Sequence, residues 1–193
     1  MLRTRRLKLK SLYNARDLGG YAVPGGRTKF GVFLRSDVPS GLPECDIQAL
    51  KDYGVTMCLD FRSGPEMTRD SIISDYITLD WVQYRHIPTY SEDGFRTTHE
   101  KYWVNDMAPE HGPYPWIFGY NRIVDYGKKW IKECVEAAAE CDGVLQFHCS
   151  SGKDRTGMCS AILLAIAGAS KYDIAADYCM SQALLDRKYA QTR

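Results

Sequence analysis

Val144-Leu145-Gln146-Phe147-His148-Cys149-Ser150-Ser151-Gly152-Lys153-Asp154-Arg155-Thr156-Gly157 changes pattern twice. The apolar run Val144 to Phe147 has the length and composition of a buried strand. From Met158 to Ala167, small and apolar residues recur as in a packed helix. Between the two lie His148-Cys149, then Ser150 to Asp154, then Arg155. The pattern is strand, tight loop, helix, with a cysteine at the strand end and an arginine at the helix start. Backbone N–H groups of such a loop, beside a helix N-terminus, form a ready anion site. A thiol held there is expected to be ionised. A thiolate at the floor of an anion cradle is the equipment for attacking a phosphate ester.

Working outward, Val55 to Phe61 is a second, nearly continuous apolar run and reads as a buried, parallel-type strand. Thr28 to Ser36 alternates as a strand, and Pro43 to Tyr53 reads as a helix with Gly54 at its C-cap. Tyr76 to Pro88 predicts a further strand or pair of strands. Residues 89–115 are irregular, polar and aromatic, with a candidate helix over 98–107 and the composition of a substrate lid. Phe118 to Cys141 reads as the clearest helix of the chain. Gly168-Ala169-Ser170 breaks the loop helix, Lys171 to Met180 forms a last amphipathic helix, and a thinly apolar helical pattern follows to Arg193. Helices alternating with buried strands predict α/β layering. Near the N-terminus, Asn14, Asp17, Gly19 and Gly20 mark an irregular loop. Its Arg16 and Asp17 either tie the loop down or line the site.

The length of 193 residues predicts one domain spanning residues 1–193. The formal net charge of +1 gives no reason to expect a nucleic-acid or stable membrane partner. The basic run Arg3 to Lys10 is not followed by the apolar stretch of a signal peptide, and no run approaches the roughly 18 apolar residues of a transmembrane helix. The seven cysteines are odd in number and lack C-x-x-C spacing, so neither a metal site nor a disulfide framework is expected. Cys58, Cys134, Cys159 and Cys179 fall in apolar patterns and read as buried small hydrophobes. A reducing, cytoplasmic compartment fits these thiols, with export left open.

Cysteine-based phosphoester hydrolysis needs an in-line thiolate, donors for the phosphoryl oxygens, an acid for the leaving oxygen and a base for the attacking water. Cys149 supplies the first. The N–H groups around Ser150, Ser151, Gly152 and Lys153 and the guanidinium of Arg155 supply the second. The C-x5-R spacing lets one loop wrap three oxygens while the arginine closes the ring. His148 is expected to orient the loop by hydrogen bonding, and Thr156 to donate its hydroxyl to the sulfur.

His148-Cys149-Ser150-Ser151-Gly152-Lys153-Asp154-Arg155-Thr156-Gly157 resembles the active-site loop of the cysteine-based protein tyrosine phosphatases, in particular a bacterial branch of them. Three more segments resemble that branch: Asn14 to Tyr21, Phe33 to Ser36, and Leu59-Asp60-Phe61-Arg62-Ser63 with Glu66. Asp177-Tyr178 also fits. The resemblance implies a protein-tyrosine-phosphatase-like fold with a central, mainly parallel sheet flanked by helices. It implies hydrolysis of phosphotyrosine proteins, with neither metal nor organic cofactor. Lys153 is similar to the loop lysine of relatives that also accept phosphoinositide headgroups, which makes a phosphoinositide phosphatase the alternative. A phosphate-binding pseudophosphatase and a rhodanese-like sulfur transferase are the other readings. The chain departs from the family pattern in lacking a W-P-D loop, so the general acid falls to Asp154, inside the loop, or to Asp93, after Pro88. A second departure is the short stretch after the loop helix, which suggests an open substrate approach.

Overall fold

A computed structural model of the chain describes residues 4–70, 74–89 and 116–191. The elements among them run β1 (Arg16–Asp17), β2 (Ala22–Val23), β3 (Gly26–Arg27), β4 (Phe33–Ser36), α1 (Glu44–Tyr53), β5 (Val55–Asp60), α2 (Gly64–Asp70), a 3-10 turn (Asp75–Ile77) and β6 (Gln83–His86). They continue with α3 (Trp116–Tyr126), α4 (Lys128–Glu140), β7 (Val144–His148), α5 (Asp154–Ile166) and α6 (Lys171–Gln191). One sheet has the order β1-β4-β7-β5-β6, while β2 and β3 form a separate hairpin. Only the edge pair β1–β4 in the larger sheet is antiparallel. The expected α/β class, mainly parallel and flanked by helices, is therefore present.

The apolar run in β7 is explained by its place at the sheet centre, where all of Val144 to His148 is buried. Side chains alternate between two cores. Leu145 and Phe147, with Met57 and Leu59 of β5, pack against Trp130, Cys134 and Ala137 of α4 and Cys159, Leu163 and Leu164 of α5. Val144 and Cys58 face the other way, toward Leu50 of α1, Tyr76 and Val82. Burying each large apolar side chain contributes about 1.5–3 kcal/mol. The polar member of the strand, Gln146, is satisfied inside this second layer: it accepts from Tyr76 Oη at 2.6 Å and donates to Ser36 Oγ at 2.8 Å.

Register sets the site. Ser36 and Asp60 each pair with His148, and His86 pairs with Asp60, so four strands end together and Cys149 follows on that carboxyl edge. Parallel sheets bind ligands at this edge.

Several local expectations need correction. The strand expected over Thr28 to Ser36 is only β4, because Thr28 is committed to the preceding loop, its N–H on Tyr21 O at 2.9 Å and its hydroxyl on Leu18 O at 2.7 Å. The single helix expected over Phe118 to Cys141 is two, broken at Gly127, where a Cβ would lie 2.3 Å from Ile123 O. The helical pattern expected beyond Met180 is present, as the continuation of α6 to Gln191. Cys58, Cys134 and Cys159 are buried as expected, but Cys179 is exposed. The helix expected over 98–107 lies outside the described residues. No helix among the described residues is long and apolar enough to cross a membrane.

Candidate active site

The loop between β7 and α5 is held by its carbonyls. Asn14 Nδ2 donates to Ser151 O and Gly152 O, both at 2.9 Å, Arg35 Nη2 donates to Gly152 O at 2.7 Å, and Val38 N donates to Ser150 O at 3.1 Å. In a planar trans peptide the next N–H points opposite its carbonyl. The N–H groups of Ser151, Gly152 and Lys153 are thereby turned to the other side of the loop. Gly152 makes the bend possible. Its φ is +68°, and a Cβ there would sit 2.1 Å from Ser36 O. Cys149 lies at the base of this loop, buried, in the core shared by β7 and α5.

Arg155 sits on the first turn of α5 and is gripped by Glu66. Its Nη1 and Nη2 donate to the two carboxylate oxygens at 2.5 and 2.7 Å, and Nη1 also reaches Phe61 O at 3.3 Å. Glu66 is placed by a capping box at the start of α2: Ser63 N and Oγ donate to Glu66 Oε2 at 2.8 and 2.9 Å, and Glu66 N points back to Ser63 Oγ at 3.4 Å. Burial pushes the Glu66 carboxyl up, but the bonds from Arg155 and Ser63 outweigh it and hold it below the usual range. A local helix-start motif thus aims the carboxylate that orients the loop arginine.

Behind the loop, two buried guanidinium groups share one carboxylate. Arg16 Nε donates to Asp177 Oδ1 at 2.9 Å and Arg35 Nη1 donates to Asp177 Oδ2. Ser181 Oγ also accepts from both arginines. Burial and the neighbouring Arg35 lower Arg16 to about 10 despite Asp177. Burial raises the Asp177 carboxyl, yet the two arginines hold it below its ordinary value. Arg16 and Asp17 therefore tie the fold together and do not line the site: Asp17 is committed to Gly31 N and Tyr53 Oη at 2.8 and 2.6 Å.

His148 is fully buried, and its Nδ1 lies 3.0 Å from Cys149 O. A carbonyl only accepts, so Nδ1 carries the proton. Nε2 lies 3.7 Å from Asp60 Oδ2. Burial lowers the His148 pKa below its ordinary value, although Asp60 opposes the shift. Burial would raise Asp60, but His148 and the bonds from Arg62 win and place it at about 2. A neutral His148 that orients Cys149 is the resulting picture.

Asp154 opens α5, and its Oδ1 accepts from Tyr178 Oη at 2.8 Å and from Tyr120 Oη. Lys153 Nζ leans toward α6, where Gln182 Oε1 accepts it at 3.3 Å. Thr156 is buried and its hydroxyl has no hydrogen bond among the described residues, so the bond expected from it to the Cys149 sulfur is not formed. Asp93 lies outside the described residues. Cys149, Ser150, Ser151, Gly152, Lys153, Asp154 and Arg155 are brought together by adjacency in the chain. Glu66, Asn14 and Arg35 belong to segments legible in the sequence, but their hold on Arg155 and the loop carbonyls was not. Tyr120 carried no sequence signal beyond its place in a helix.

Residues 7–193 match the model of the tyrosine phosphatase family. The chain is 28% identical over 193 residues to a protein of Cupriavidus necator provisionally named a tyrosine-protein phosphatase, with 89% of this chain and 61% of that protein covered. It is 27% identical over 159 residues to a tyrosine-protein phosphatase of Nostoc commune, covering 80% of this chain and 49% of the relative. The chain thus spans about half to three-fifths of the length of these curated relatives. With the match running through the carbonyl-tied loop, its cysteine and its clamped arginine, the chain belongs to the tyrosine phosphatase family.

Proposed function

We propose that residues 1–193 form a single phosphatase domain that hydrolyses phosphotyrosine in proteins through a phosphocysteine intermediate. The observation that carries this reading is the pairing of Cys149, at the base of the loop, with Arg155, forked onto Glu66. The phosphoryl oxygens are bound by the loop N–H groups from Ser150 to Lys153 and by the Arg155 guanidinium. The Cys149 thiolate attacks phosphorus in line, an S–P bond forms, and the P–O bond to tyrosine breaks. Asp154 gives its proton to the departing phenolate oxygen. Water then attacks phosphorus while the Asp154 carboxylate takes its proton. The S–P bond breaks, and inorganic phosphate and the thiolate are released. Asp93 is the second candidate for the acid.

His148 acts through the Cys149 carbonyl rather than as a base. The contact of Lys153 with Gln182 supports the phosphotyrosine reading over the phosphoinositide one, since it directs the amine along α6. The test is hydrolysis of 4-nitrophenyl phosphate, a phosphotyrosine peptide and a soluble phosphoinositide headgroup by the wild type and Cys149→Ser. Turnover by the wild type alone, faster on the peptide, supports the proposal. Binding of the peptide without turnover would make the chain a pseudophosphatase, and much faster turnover of the headgroup would make it a lipid phosphatase.

A further inference from the structure

Asp154, Tyr120 and Tyr178 come from α5, α3 and α6 and meet at three oxygens. Both hydroxyls reach the same carboxylate oxygen, Oδ1, and the hydroxyls lie 2.6 Å from each other. The rings stand edge to face, with centroids 6.1 Å apart and planes at 84°. Burial pushes both phenols up, Tyr178 to about 12 and Tyr120 further, so at neutral pH both are O–H donors. Three oxygen pairs share two hydroxyl protons. With Asp154 ionised, both protons go to the charge, because charge-assisted bonds are the stronger ones. With Asp154 protonated, one hydroxyl can turn to the other.

Gly157 gives this cluster its room. One turn into α5, it faces the Tyr178 ring, and a Cβ there would lie 2.7 Å from Tyr178 Cδ2. The last glycine of the loop motif therefore seats the ring whose hydroxyl holds Asp154.

We infer that Tyr120 and Tyr178 are positioning residues for Asp154: by donating to Oδ1 they fix the carboxyl plane and leave Oδ2 as the atom that carries the proton to and from the leaving-group side. This rests on the proposal that Asp154 is the general acid. The pair holds the acid in a loop-borne position without a moving segment of its own, and it ties proton transfer to the docking of α3 on α6.

The experiment compares phenyl phosphate, whose leaving group needs a proton, with 2,4-dinitrophenyl phosphate, whose leaving group does not. The variants are Tyr120→Phe, Tyr178→Phe, Gly157→Ala and Asp154→Asn, with each tyrosine variant also combined with Asp154→Asn. Asp154→Asn is expected to slow phenyl phosphate roughly 100-fold more than the activated ester, the scale of general acid catalysis. Each tyrosine variant should show the same selectivity at roughly tenfold, the scale of one bond to a charged group. Gly157→Ala should resemble Tyr178→Phe. The tyrosine effect should vanish on Asp154→Asn, since the coupled partner is gone. If Asp154→Asn is selective but the tyrosine variants slow both esters equally, the tyrosines only brace the helices and the inference is overturned alone. If Asp154→Asn itself slows both equally, the acid assignment and the inference fall together.

Discussion

Replacing Glu66 with glutamine keeps the shape of the side chain and removes its charge. In the structure this carboxylate takes a two-pronged bond from Arg155 at 2.5 and 2.7 Å, with side-chain exposures of 9% and 15% for Glu66 and Arg155. Removing one partner of a buried pair costs about 3–5 kcal/mol, because the other charge is left without compensation. The partial exposure of Arg155 places the expected loss at the lower end, about 3 kcal/mol. For a chain of this size about 2–4 °C of melting temperature follows each kcal/mol, so the variant should melt roughly 6–12 °C lower. The guanidinium would also lose its fixed plane, and a misplacement of about 1 Å near the reacting group costs on the order of 100-fold in rate. Thermal melts and kcat/KM on an aryl phosphate read the two effects. Ser63→Ala, which removes only the hydroxyl half of the capping box, should cost about 1 kcal/mol and less activity. A Glu66→Gln protein that melts with the wild type and retains kcat/KM within about twofold would refute the clamp.

Acid should destabilise the fold in two stages. His148 has a folded pKa below its ordinary 6.5, so the unfolded chain takes the proton first and stability falls as pH drops from about 6.5. Glu66, Asp177 and Asp60 have depressed folded values; the stability they contribute is present above their ordinary 4.5 and 3.8 and is lost as pH falls through the folded values, near 2 for Asp60. Urea midpoints measured against pH should show both stages, and His148→Asn should remove the first. Gly152→Ala places a Cβ 2.1 Å from Ser36 O at a left-handed φ of +68°. It should reduce kcat/KM more than about 100-fold while circular dichroism still reports a folded α/β protein; a variant of wild-type activity would contradict the loop geometry.

Much of the fold could be read in the sequence where one physical signal dominated. β5 and β7 are nearly continuous apolar runs because both faces of a central parallel strand are buried, and the loop motif carried its own structural context. The misses occurred where polar groups do the packing. The buried residues of α6 include Asp177, Ser181, Leu184 and Leu185, and the first two meet Arg16 and Arg35. A reading by hydrophobicity therefore put Cys179 inside, although the helical pattern itself was legible to the end of α6. Gly127 was visible as a glycine in mid-helix, but the close approach of Ile123 O, which leaves no room for a Cβ there, was not. Within the site, the chemistry-bearing residues were adjacent in the chain. The groups that hold them are remote in sequence: Glu66 is separated from Arg155 by 89 positions and Asn14 from Gly152 by 138, and only tertiary structure joins them.

The most direct measurement is the covalent state of Cys149 during turnover. The protein is mixed with an aryl phosphate or a phosphotyrosine peptide, quenched in acid within milliseconds, digested and analysed by mass spectrometry. Phosphate on the peptide bearing Cys149 in the wild type, absent in Cys149→Ser and increased in Asp154→Asn relative to product formed, is the expected result. Turnover with no phosphate on Cys149, or turnover that persists in Cys149→Ser, would contradict it.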